Sequence, residues 1–111
     1  MPTYNVPVPG PDVFSALSSP VRRSLLELLG EQPQTVEELA GHFDMRRPSV
    51  SQHLRILKDS GLVREQRSGR HRVYRIDARP LREAADWLHP FERFWRERLN
   101  SLAELLDEDN A

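Results

Sequence analysis

The sequence predicts a mainly α fold with one small β-hairpin, and three observations carry that expectation. Segments of apolar side chains recur at helical spacing, each behind residues that start helices. The run Arg67-Ser-Gly-Arg70 separates two short stretches of strand-forming residues. A long terminal segment carries aromatic residues and leucines at three- and four-residue intervals. At 111 residues the chain is expected to form one domain, or one domain with a helical extension.

Residues 1–11, MPTYNVPVPGP, hold four prolines and one glycine and are expected to be a flexible arm. Asp12 is placed to cap a short helix through Phe14 and Leu17. Ser19-Pro20 pairs a hydroxyl cap with a proline at the first helical position. The helix that follows puts Val21, Leu25, Leu28 and Leu29 on one face and is expected to stop at Gly30. Thr35 and Glu38 are spaced as a capping box, opening a helix with Val36, Leu39, Ala40 and Phe43 inward. A break at 44–47 separates it from a helix beginning at Pro48, with Val50, Leu54 and Leu57 buried and Gly61 as its left-handed stop. Residues 62–66 and 72–76 read as strands. Asp77 or a neighbour caps the last helix, which Pro90 is expected to kink or restart.

This order is that of a winged helix-turn-helix with dimerisation helices at both ends. Helix 35–43, the break and helix 48–60 make the helix-turn-helix, and the hairpin is the wing. The expected division is an arm at 1–11, a DNA-binding domain at 12–78, a dimerisation helix at 79–107 and an acidic tail at 108–111.

Charge supports that reading. The whole chain has a formal net charge of −1, yet residues 46–75 hold nine basic and two acidic side chains, a net of +7. The remainder therefore carries −8. A segregated basic block calls for an anionic partner. With Val50, Leu54 and Leu57 inward, the front of helix 48–60 presents Ser49, Ser51, Gln52 and Arg55, with Arg46 and Arg47 at its mouth. Gln can pair with adenine and Arg with guanine in the major groove. Lys58 and the wing residues Arg67, Arg70, His71 and Arg72 are the expected backbone contacts. His53 is expected to be a hydrogen-bonded packing residue, and Arg22 and Arg23 to be surface residues.

The runs SSPVRRSLLELL, TVEELA, PSVSQHLRILKDSGLV and RSGRHRVYRID resemble the ArsR/SmtB family of bacterial transcriptional regulators over about residues 12–77. The resemblance implies a homodimer that represses an operon and releases DNA on a signal. That signal would be a small molecule or a protein. Two family metal motifs are not matched. VEELAGHF lacks the Cys-x-Cys pair, and the chain has no cysteine at all. Asp86 and His89 are one position too far apart for the Asp-x-His pair, and Asn100 stands where the second histidine is sought. His42, His53, His71 and His89 fall on different elements, whereas zinc requires converging ligands. The expectation is therefore no metal and no cofactor, as in the metal-independent branch with a Trp/Phe-rich terminal helix.

Phe14, Leu17, Leu88, Phe91, Phe94, Trp95, Leu99 and Leu102 are the expected dimer interface. No enzymatic constellation is present, and no apolar run is long enough to span a bilayer. The start lacks the features of a signal peptide, so a cytoplasmic location is expected. The alternatives to a DNA-binding repressor are a winged-helix interaction module without DNA binding and a metal-responsive repressor.

Overall fold

The computed structural model describes residues 3, 4 and 12–109. The expected arm at 1–11 lies almost wholly outside them, as do the last two residues of the acidic tail. The elements in order are α1 (Val13–Leu17), α2 (Pro20–Glu31), β1 (Gln34–Thr35), α3 (Val36–Ala40), α4 (Arg47–Asp59), β2 (Val63–Ser68), β3 (His71–Ile76) and α5 (Arg79–Asp109). They divide into two compact units, split between Leu81 and Arg82.

The caps form as their chemistry dictates. The Asp12 carboxylate accepts from the Ser15 N–H at 2.7 Å and starts α1. The Ser19 hydroxyl accepts from the Arg22 N–H, with Pro20 as the first residue of α2. Thr35 and Glu38 exchange the two bonds of a capping box at the front of α3. α4 ends in a Schellman motif: Leu62 N–H reaches Leu57 O at 2.9 Å and Gly61 N–H reaches Lys58 O at 3.0 Å. Gly61 holds φ +79°, and Leu57 and Leu62 are both fully buried across that turn.

In the first unit α4 packs against both α2 and α3, with α1 on α2 and the sheet against all three helices. Leu25, Leu39, Val50, Leu54, Leu57 and Leu62 have no exposed surface. Each such side chain contributes roughly 1.5–3 kcal/mol by leaving water. Three of them come from α4, so the buried stripe of that helix fixes which face remains outside.

Several elements differ from the sequence expectations. α2 runs one residue past Gly30, whose φ is not positive, and ends at the extended residue Gln32. α3 stops at Ala40 rather than Phe43. The chain then tightens into i→i+3 bonds from His42 and Phe43 and leaves the helical path. α4 begins one residue early, so Pro48 is its second residue and Arg47 its first. The sheet has a third strand. β1 pairs antiparallel with β3, Gln34 opposite Tyr74 and Thr35 opposite Val73, giving the order β1-β3-β2. Gln34 is buried, and its side-chain amide donates to Leu28 O at 3.1 Å, satisfying a carbonyl near the end of α2.

The wing is tighter than the four-residue turn expected. Ser68 pairs with His71, leaving Gly69 and Arg70 as a two-residue loop. Gly69 takes φ +62° at the first central position, the pattern of a type II′ turn. Pro90 lies inside α5 without restarting it, and the helix continues through Glu108 and Asp109 of the acidic tail. Among the described residues no helix is long and apolar enough to cross a membrane.

Candidate nucleic-acid interface

With Val50, Leu54 and Leu57 buried, α4 turns Ser49, Gln52, Arg55 and Lys58 outward, and Ser51 is half-buried beside them. Arg46 and Arg47 stand exposed at its N-terminal end. A cleft joins this face to the wing: Ser51, Arg55, Lys58 and Asp59 of α4 line it together with Glu65, Arg72 and Tyr74 of the hairpin. The structure thus brings α4 and the wing's base into one surface. Arg67, Arg70 and His71, at the tip, are exposed.

The basic block falls into two sets. Arg46, Arg55, Arg67, Arg70 and Arg75 make no ion pair among the described residues, although Arg75 donates to the Gln66 side chain at 3.4 Å. The others are engaged. Arg47 pairs with Glu37 of α3 at 2.6 Å across the helix-turn-helix. Lys58 of α4 and Arg72 of β3 both reach Glu65 of β2, at 3.3 and 2.8 Å. Burial pushes the Glu65 carboxyl up, but the Lys58 ammonium and the Arg72 guanidinium outweigh it and hold the carboxyl below its ordinary value. Arg64 and Arg79 converge on Asp77, at 3.1 and 2.7 Å. The Asp77 carboxylate also accepts from the Arg79 N–H at 3.2 Å, capping α5. Hydrogen bonds from Arg79 keep that carboxyl far below the usual carboxylate range.

His53 is half-buried, and its Nδ1 lies 3.2 Å from a guanidinium nitrogen of Arg22. The packing role expected of it is what the structure gives. Arg22 departs from expectation. Its guanidinium donates to Ala16 O at 2.8 Å and Ser15 O at 3.1 Å as well as facing His53. It is a tie between α1, α2 and α4, not a surface residue. Nothing in the local pattern SSPVRRSLL distinguishes Arg22 from Arg23, because its partners lie 31 residues on in α4 and in the preceding turn.

On α5, Leu88, Phe91, Phe94, Trp95, Leu99 and Leu102 are all exposed, as are Leu105 and Leu106. In the first unit Phe14 is exposed and Leu17 half-buried. The polar faces of α5 carry ion pairs one turn apart, such as Arg96 with Glu92 at 2.6 Å and Arg93 with Glu97 at 3.2 Å. Among the described residues, no group of three or more His, Cys, Asp or Glu side chains is placed to hold a metal ion.

A helix-turn-helix domain family model matches residues 17–66, the stretch from the end of α1 into β2. HTH-type transcriptional regulator Rv2034 of Mycobacterium tuberculosis is 37% identical over 98% of this chain and 96% of its own length. The solved structure of the ArsR family transcriptional regulator RHA00566 superposes with a TM-score of 0.66 at 40% identity, over 75% of this chain and 91% of that one. The chain belongs to the ArsR/SmtB family. Transcriptional repressor SdpR of Bacillus subtilis is a further relative, 35% identical over 72% of this chain and 89% of its own. ArsR/SmtB proteins are transcriptional regulators, not enzymes, and the winged helix-turn-helix described above is their fold.

Proposed function

We propose that this protein is a transcriptional repressor that binds double-stranded DNA as a homodimer. The observation that carries the reading is the division of α4. Its apolar stripe is spent on the core, and its outer face holds Ser49, Gln52 and Arg55; among the described residues Arg55 and the nearby Arg46, Arg67 and Arg70 make no ion pair. In this reading α4 enters the major groove, Arg46, Arg47, Ser49, Ser51, Gln52 and Arg55 face bases and nearby phosphates, and Lys58, Arg67, Arg70, His71 and Arg72 face the backbone.

The second copy is supported by α5. Leu88, Phe91, Trp95, Leu99, Leu102 and Leu106 recur every three or four residues as one apolar stripe. Six large apolar side chains open to water on one helix exceed what a monomer ordinarily leaves exposed. Phe14 and Leu17 of α1 are assigned to the same interface. Two α4 helices would then read half-sites about 34–36 Å apart, on an operator with inverted-repeat symmetry. The reading places the protein in the cytoplasm, with a small-molecule or protein effector releasing it from DNA.

The test is to capture fragmented genomic DNA on the purified protein at near-physiological salt, with a chelator present, and to sequence it. Recovery of a few sites that share an inverted repeat is the expected result. Recovery of nothing above background would overturn the reading in favour of a winged-helix interaction module. Sites recovered only when the chelator is replaced by zinc would point to a metal-responsive repressor.

A further inference from the structure

Glu65 sits where a DNA-binding surface would be expected to carry no negative charge. It lies in a cleft between α4 and the wing, beside Ser51, Arg55 and Tyr74; Asp59 also lines the cleft but is exposed and pairs with neither cation. It holds Lys58 at 3.3 Å and Arg72 at 2.8 Å at once. Its own side chain is only 15% exposed, while those of Lys58 and Arg72 are 52% and 64% exposed. The carboxylate is thus fixed by its surroundings, and the two cations extend from it toward solvent.

We propose that Glu65 is a specificity-determining residue, which holds Lys58 and Arg72 back from the phosphates of arbitrary DNA and so widens the gap between preferred and unrelated sequences. The inference rests on the DNA-binding reading above. Binding to unrelated duplexes is almost wholly phosphate neutralisation, so every cation withheld weakens it directly. A preferred sequence adds base contacts from α4, which seat the wing closely enough for phosphates to compete for the two cations. A fixed anion between helix and wing therefore costs the loose complex more than the seated one. Discrimination built by penalising the wrong partner is a general route to specificity. Glu37 repeats the arrangement on a smaller scale with Arg47, but that pair is exposed on both sides and joins the helices of the motif instead of lining the cleft.

The experiment compares full-length wild type, Glu65→Gln and Glu65→Asp. Each is titrated with a duplex recovered by the genomic capture and with an unrelated duplex of equal length, between about 50 and 200 mM salt. Glu65→Gln is expected to bind the unrelated duplex roughly tenfold more tightly at the low-salt end, with a salt slope steeper by about 1 to 2, the value for one or two added phosphate contacts. Its preference for the recovered duplex should shrink, and Glu65→Asp, which keeps the charge, should restore it. In a Lys58→Gln/Arg72→Gln background the further change Glu65→Gln should leave the slope where it was. Unchanged or weaker binding of the unrelated duplex by Glu65→Gln overturns the proposal, since a merely structural carboxylate would loosen the wing and weaken both duplexes. If Glu65→Gln does not fold, a slope on the recovered duplex that is the same in Lys58→Gln/Arg72→Gln as in wild type overturns it equally, since the seated complex is where these cations are held to reach phosphates. A wild type that binds neither duplex overturns the DNA-binding reading itself, and this proposal with it.

Discussion

The Nδ1 atom of His53 on α4 faces a guanidinium nitrogen of Arg22 on α2 at 3.2 Å. Arg has no acceptor atom, so the guanidinium donates and Nδ1 accepts. The same guanidinium holds the carbonyls of Ser15 and Ala16, near the C-terminal end of α1. One side chain therefore ties down α4, the helix proposed to face DNA, and the helix that carries Phe14 and Leu17.

Replacing Arg22 by Met keeps the aliphatic stem and removes the donors. Hydrogen bonds to charged groups contribute about 1.5–3 kcal/mol each when their partners are left unsatisfied, and solvent at this half-buried site offsets part of that. Arg22→Met is expected to lower unfolding stability by roughly 2 kcal/mol. The corresponding Arg23→Met, which frees only the Leu17 carbonyl at the surface, should cost well under half as much. Urea unfolding followed by circular dichroism distinguishes the two.

The His53 contact also sets a pH dependence. Burial, and secondarily the Arg22 charge, lower the His53 pKa from its ordinary value of 6.5. A protonated imidazole cannot accept the Arg22 hydrogen bond and would place two positive charges together. The unfolded chain binds a proton near pH 6.5 while the folded one still refuses it, so stability falls with falling pH in that interval. The contribution is fully present above about 6.5. It is lost as the pH drops through the lowered folded value. The carboxylates Glu37 and Glu65, also lowered, act only below their ordinary value of 4.5. His53→Asn, which retains an acceptor at the Nδ1 position but does not titrate, should flatten the stability profile between about pH 7 and 5. An equally steep profile in that variant would falsify the assignment.

Gly61 tests the exit from α4. At φ +79° a side chain is strained by about 1–2 kcal/mol whatever space surrounds it. A Cβ there would meet only the Pro80 ring at 3.5 Å, an ordinary contact, so the cost is conformational and not steric. Gly61→Ala should lower the midpoint of thermal unfolding by about 4–8 °C per kcal/mol lost for a domain this size. A melting temperature equal to wild type would mean that the turn relaxes out of the left-handed region.

Helix starts, the buried stripe of α4 and the glycine stop at Gly61 were legible because each rests on residues within one or two turns of one another; on α2 the expected Leu25 and Leu29 are buried, but Leu26 joins them while Val21 and Leu28 are half-buried. What was not legible depends on distant partners. β1 is two residues long, and Gln34 and Thr35 become a strand only because Tyr74 and Val73 lie alongside. Arg22 looks like any surface arginine until α1 and α4 close around it. The ion pairs that occupy Arg47, Lys58 and Arg72 likewise join residues on different elements, so the basic block read as a uniform surface in sequence is two populations in space. Of the two outcomes expected at Pro90, a restart does not occur. A proline inside a helix removes one hydrogen bond and crowds the preceding turn, yet α5 continues through it with long runs of good helix formers on both sides.

The two roles assigned along the DNA-facing surface separate experimentally. Gln52→Ala removes an exposed side chain that makes no hydrogen bond among the described residues, so it should cost about 1–3 kcal/mol at one base position and leave the salt slope unchanged. Arg70→Ala, at the wing tip, should weaken all duplexes alike and flatten the slope by about 1. Titration of both variants against the recovered site and single-base variants of it gives both quantities. Identical sequence preference in Gln52→Ala would remove α4 from the reading role.

The interface between copies is tested at Leu99, which is 64% exposed and lies in mid-stripe on α5. Glutamate is a good helix former, so Leu99→Glu should leave α5 intact as a helix. In a dimer whose two stripes meet, it would instead bury two carboxylates against apolar surface without a partner, at a cost of several kcal/mol. The variant is expected to shift from dimer to monomer in sedimentation at micromolar concentration while its circular dichroism stays close to wild type. Its affinity for an inverted repeat should then fall to nearly that for a half-site, since linking the two binding events supplies much of the affinity for the full operator. Retention of the dimer by Leu99→Glu would mean that α5 is covered by something other than its own copy.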